Sequence, residues 1–235
     1  MRAPLLVVAV AQPPCVPYGV AANAVAHAAA VRLAGARVVV FPELSLSGYE
    51  LDAPAITPGD PRLTPIVAAC AEVGSVALVG APVSGEAGRS HIAFLAVYGT
   101  GATVAYHKMW LSPTEARRFT PGGKPAVLDV DGWRLGLAIC KDTGEPQHAA
   151  DTVALGIDAY LAGTVKAAAE AVLQEERARR VAIDHRVWVA VASFAGSTGG
   201  GFADAAGRSG VWTADGVPIA QAGPEPGALV RATFS

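Results

Sequence analysis

An α/β fold built on mixed sheets is predicted by three features of this 235-residue sequence. Short runs of β-branched and aliphatic residues alternate with alanine-rich segments long enough to form helices. Two pairs of such runs, at 90–107 and 126–139, are closely spaced, as in hairpins, so antiparallel neighbours join the parallel ones. Hydrophobic residues make up 52% of the chain and charged residues 16%, a balance that suits sheets buried on both faces and argues against disorder.

The elements follow in order. The apolar run Leu5 to Ala11 reads as the first strand; Met1 to Ala11 has one positive residue ahead of it, but is too short for a signal peptide and flows into Gln12-Pro13-Pro14. Ala21 to Leu33 is the first helix and Arg37 to Phe41 the second strand. A helix at Arg62 to Glu72 precedes strands at Ser75 to Gly80, Ser90 to Tyr98, Val104 to His107, Ala126 to Val130 and Trp133 to Ile139. Beyond them come a helix at Pro146 to Leu155, a strand at Ala159 to Ala162, a helix at Val165 to Arg186 and a strand at Trp188 to Ser193. The Gly/Ser-rich stretch 196–201 is a loop, because strand-like sequence resumes at Gly210 to Thr213 and Leu229 to Thr233. With no repeat and no linker, residues 1–235 are expected to form a single domain.

A net charge of -2 and the lack of any Lys/Arg run give no broad attraction for nucleic acid or an anionic membrane, so the expected partner is a small molecule. No apolar stretch approaches the roughly 20 residues that span a bilayer. Cys15, Cys70 and Cys140 lack the pairing of a disulfide framework or zinc knuckle, which fits a reducing cytoplasm. His27, His91 and His185 are too far apart to suggest metal-ligand spacing, whereas His107 and His148 neighbour reactive candidates.

Those candidates sit where strands end. Cys140 closes the run 135–139 and meets the polar turn Lys141-Asp142-Thr143-Gly144. At such a strand-turn-helix corner a thiol projects from the sheet edge beside backbone N–H groups that favour thiolate and oxyanion, although free cysteines more often simply pack. Glu43 follows Val38-Val39-Val40-Phe41-Pro42 at another sheet edge, the place for a general base, or for a solvated loop carboxylate. Lys108 ends Val104-Ala105-Tyr106-His107 in apolar company, and Glu115 lies seven residues on, placed to pair with it or to be exposed. A thiol nucleophile needs a base, an acid for the departing nitrogen and a positive group for the oxyanion, and these residues supply all three.

In this order and spacing, the motifs resemble those of the nitrilase superfamily, the carbon-nitrogen hydrolases. Phe41-Pro42-Glu43-Leu44 through Gly48-Tyr49 is similar to the family's glutamate motif, and Tyr106-His107-Lys108 through Glu115, with Phe119-Thr120-Pro121-Gly122, to its lysine motif. The likeness runs from Val10-Ala11-Gln12 to Asp215-Gly216-Val217-Pro218. It implies a four-layer αββα sandwich of two mixed β-sheets, commonly a homodimer or higher homo-oligomer. It further implies a catalytic set of Glu43, Lys108 and Cys140, with Glu115 and Lys141 at the substrate, the backbone N–H of Lys141 at the oxyanion, and neither metal nor cofactor. The implied substrate is a small amide, carbamoyl compound or nitrile, and the implied intermediate a thioester on Cys140.

The cysteine motif departs from the common pattern: Lys141, Glu145 and Gln147 replace its tyrosine, phenylalanine and glutamate, and Val181-Ala182-Ile183-Asp184-His185 replaces Arg-Ala-x-Glu-Asn. Lys141 and Glu145 suggest a polar pocket mouth that receives a charged substrate. Three other readings differ by class: a non-catalytic or regulatory binding protein on the same fold, an amide-forming acyltransferase that captures the acyl-enzyme with an amine, and a thiol redox protein. The last lacks a Cys-x-x-Cys pair.

Overall fold

The computed structural model describes residues 5–85 and 88–235. Met1 to Pro4 of the expected leader-like segment therefore lie outside the described residues. Fourteen strands and four α-helices are found among them. The chain begins with β1 (Leu6–Ala11), α1 (Val20–Ala34), β2 (Val38–Val40), α2 (Thr64–Val73), β3 (Val76–Ser84), β4 (Ser90–Tyr98) and β5 (Gly101–His107). It continues through β6 (Val127–Val130), β7 (Trp133–Ile139), α3 (Pro146–Val153), β8 (Ala159–Thr164), α4 (Ala171–His185) and β9 (Trp188–Ser193). It ends with β10 (Ala195–Gly196), β11 (Ala205–Ala206), β12 (Gly210–Trp212), β13 (Pro218–Gln221) and β14 (Leu229–Phe234).

One six-stranded sheet has the order β14-β1-β2-β3-β4-β5 and the other β13-β12-β9-β8-β7-β6. Both are mixed: β1, β2 and β3 pair in parallel, as do β7, β8 and β9, with antiparallel neighbours on either side. Alternation along each strand creates the layers. Val8 and Val10 of β1, Val38 and Val40 of β2, and Leu135, Leu137 and Ile139 of β7 share the core between the sheets. Ala9, Val39 and Val79 face the outer core under α1 and α2, while Ala138, Tyr160 and Val191 face that under α3 and α4. The result is the expected four-layer αββα sandwich, with β-branched residues buried on both faces of the central strands.

The helix α1 shows how the alanine-rich segments reach this arrangement. Its buried residues Val20, Ala24, Ala28, Val31 and Ala34 recur at three- and four-residue spacing, so small side chains let it lie close to the sheet. It stops at Gly35, whose φ of 51° is a left-handed cap. Most predicted strands are found within a few residues of the expected bounds. Three corrections have physical causes. The helix expected from Val165 starts at Ala171, because Val165 to Ala167 leave β8 as extended chain and Ala168–Glu170 form a 3-10 turn. Val76–Ser84 runs past the expected end at Gly80, because its partner β4 pairs with it through Ser84. Strand β13 lay unrecognised in an exposed segment, since it is a sheet edge held only by β12.

Candidate active site

Glu43, Lys108 and Cys140 all lie just past the ends of strands: β2, β5 and β7. Glu43 is fully buried, on a loop wedged between the sheets. The wedge requires glycine on both sides. A Cβ added to Gly80 of β3 would lie 2.3 Å from the Pro42 carbonyl oxygen, and one on Gly163 of β8 would lie 2.6 Å from that of Phe41. Leu44, next in sequence, is held at a φ of 52°. Cys140 opens a 3-10 turn over Cys140–Gly144 with a φ of 46°, an unfavourable conformation for a residue with a side chain and one that marks functional corners.

Lys108 is 1% exposed and its Nζ sits between two buried carboxylates, 2.5 Å from Glu43 Oε1 and 2.7 Å from Glu115 Oε1. Glu115 thus takes the paired alternative. The Tyr49 hydroxyl also donates to its Oε1 and the Ser112 backbone N–H to its Oε2, both at 2.7 Å. Burial raises its pKa, but Lys108 outweighs burial and holds the carboxylate below its ordinary range. Burial alone would push Lys108 down; Glu43, Cys140 and Glu115 together hold it well above its ordinary value, so the ammonium is permanent.

The second oxygen of Glu43 has no partner at hydrogen-bond geometry among the described residues. Burial pushes this carboxyl up to about 7, against the pull of Lys108 and a smaller one from the nearby Cys140 thiol. A carboxylate poised near neutrality with one free buried oxygen can accept and return a proton. The Cys140 thiol donates to the Val165 carbonyl at 3.4 Å. Its pKa is pushed up to about 12 by burial and the Glu43 charge, with Lys108 and Lys166 opposing. The resting group is therefore a thiol, and a base must take its proton as it attacks.

Lys108 and Cys140 share a pocket of about 490 Å³ with Glu115, Tyr49, Lys141 and Phe202. The Lys141 ammonium donates to the Leu111 carbonyl at 2.9 Å. Glu145 is not part of the lining, contrary to the expectation that it shares the pocket mouth; it precedes α3 instead. The glycine-rich loop does approach the pocket, with Gly200 in its wall.

With this geometry in view, the sequence pattern described as carbon-nitrogen hydrolase matches residues 7–234. The chain belongs to the carbon-nitrogen hydrolase family. A hydrolase from Pseudomonas protegens is 27% identical over 198 residues, 80% of this chain and 70% of that protein. A glutamine-dependent NAD(+) synthetase from Xylella fastidiosa is 33% identical over 136 residues, 54% of this chain but only 25% of that protein. Among solved structures, an amidase of the nitrilase superfamily from Nesterenkonia AN1 has a TM-score of 0.87 at 23% identity, covering 100% of this chain and 92% of that one.

Sequence reasoning missed what ties this carbon-nitrogen hydrolase site together. Asp142, fully buried, accepts from the Ile139 and Trp110 backbone N–H groups and from the Tyr106 hydroxyl. His148 Nε2 lies 2.8 Å from that hydroxyl and Nδ1 2.9 Å from the Tyr160 hydroxyl. Burial lowers the His148 pKa, so the ring is neutral, and Nε2–H donating to Tyr106 while Nδ1 accepts from Tyr160 satisfies every partner. This network joins the turn bearing Cys140 to the strand end bearing Lys108. Tyr106→Phe leaves the His148 N–H unpaired and removes one donor from Asp142; it should cost about 1–3 kcal/mol, measured as a lowered denaturant midpoint. His107 has no part in it, stacking on His91 at a centroid distance of 4.2 Å.

Proposed function

We propose that this chain is an amidase-like hydrolase of small molecules, with Cys140 as nucleophile, Glu43 as proton carrier and Lys108 as oxyanion partner. The observation that supports it best is the free Oε2 of Glu43: Lys108 occupies one oxygen of the buried carboxylate and leaves the other for proton transfer.

In this reading the Cys140 proton passes to Glu43 as sulfur bonds to the amide carbon, and the carbonyl oxygen becomes an oxyanion beside the Lys108 ammonium. The backbone N–H of Lys141 is a second donor there. Glu43 returns the proton to nitrogen, the C–N bond breaks, and ammonia or an amine leaves a thioester on Cys140. Water then loses a proton to Glu43 and attacks; collapse expels the sulfur, which regains that proton, and the free acid departs. Glu115 fixes the Lys108 ammonium and so acts by positioning.

The Nesterenkonia amidase carries the acetamide moiety of fluoroacetamide on its active-site cysteine, which accords with a covalent route. The same acyl-enzyme would transfer to an amine if one reached it before water; product analysis with added amines separates the two outcomes.

The pKa of Glu43 gives the sign of the pH response. Its carboxyl, raised to about 7, must be ionised to take the thiol proton, so kcat/KM should rise with pH through about 7. Below that it should fall roughly tenfold per unit. Initial rates from pH 5 to 9 measure this. A flat profile across that range would exclude Glu43 as the base.

A further inference from the structure

The wall of the candidate pocket opposite the buried Glu43–Lys108–Glu115 cluster is cationic. Lys141, Lys166 and Arg177 line it against one carboxylate, Glu170. Lys166 is matched with Glu170 at 3.6 Å, and Lys141 is held by the Leu111 carbonyl. Arg177 differs from both. Half-buried on α4, it makes no hydrogen bond or ion pair with any described residue.

The guanidinium is nonetheless fixed in place. Its flat face packs on Gly144, the last residue of the turn that Cys140 opens. A Cβ added there would lie 2.7 Å from Arg177 Cζ and 2.9 Å from both terminal nitrogens. The glycine makes room for the fork, and the fork's donors remain unmatched beside a nucleophile. An unpaired guanidinium half out of water is costly to hold and is the group best shaped to bind a carboxylate through two parallel N–H bonds.

We propose that the pocket takes a small amide bearing a carboxylate at the end remote from the scissile carbonyl, with Arg177 as the carboxylate receptor. Lys141 and Lys166 add a field that favours the anion and disfavours cationic amides. The amide part of this assignment rests on the hydrolase reading of the site; the carboxylate part rests on Arg177 and Gly144.

The test separates the two. Succinamate and its neutral counterpart butyramide are titrated by calorimetry into the full-length Cys140→Ala protein, with and without Arg177→Gln or Arg177→Lys. Loss of a charge-assisted pair should weaken succinamate about 10- to 100-fold in the Gln variant. The Lys variant should recover part of that, and butyramide should change less than about twofold, the precision of a titration. In the enzyme with Cys140 intact, Arg177→Gln should raise KM for succinamate and leave kcat nearly unchanged, the signature of lost ground-state binding. Equal affinity for succinamate with and without Arg177, or equal loss for both ligands, would overturn the carboxylate assignment. So would Cys140-dependent turnover of butyramide with succinamate rejected, although the hydrolase reading would then stand. Arg177-dependent succinamate binding without any Cys140 acylation would uphold the receptor and overturn the hydrolase reading.

Discussion

Cys140→Ala should lose on the order of 10⁴-fold or more in turnover of small amides while remaining folded. The substitution removes one atom from a site that is 8% exposed and leaves the β7 end and its 3-10 turn intact, because Asp142 rather than the thiol holds that turn. The oxyanion partners stay in place, yet no thioester can form, so the residual rate should be that of water attacking a polarised amide. Steady-state rates paired with thermal melting check both halves. Retained turnover would put the chemistry elsewhere; a collapsed melting transition would show that the residue is structural.

Lys108→Met should have the largest effect on stability. It strands Glu43 and Glu115, both almost wholly buried, without the ammonium they share. Removing one member of a buried ion group leaves uncompensated charge and costs about 3–5 kcal/mol. The pH dependence has a definite sign. Without Lys108, burial and mutual repulsion raise both carboxyls in the folded state above the ordinary value of 4.5. The folded variant then holds protons that the unfolded chain releases near pH 4.5, so its stability is greatest in acid and falls as pH rises through the raised folded values. Denaturant unfolding at pH 5 and pH 8 should show the larger deficit, relative to the parent protein, at pH 8.

The triad positions were legible because each ends a continuous apolar run, and strand ends at one sheet edge converge in an α/β fold. The network of Tyr106, Asp142, His148 and Tyr160 was not: each side chain is ordinary in its local sequence, and the partners are 12 to 42 residues apart. Arg177 was hidden for a different reason. In Glu175-Glu176-Arg177-Ala178-Arg179-Arg180 it reads as one more charge on a solvated helix face, and only the packing on Gly144 distinguishes it. The 3-10 turn ahead of α4 was unreadable because its alanines suit a helix as well as a turn. Glu145 was misplaced by counting along the chain, since the 3-10 turn carries it away from the pocket.

The central claim, that Cys140 forms the covalent intermediate, is tested most directly by rapid-quench mass spectrometry of the intact protein mixed with succinamate or butyramide, followed by peptide mapping. The account predicts a transient adduct equal to the amide less ammonia, confined to the Cys140 peptide and absent from Cys140→Ala. An adduct on Cys15 or Cys70, or turnover with no adduct at any quench time together with an active Cys140→Ala protein, would contradict it.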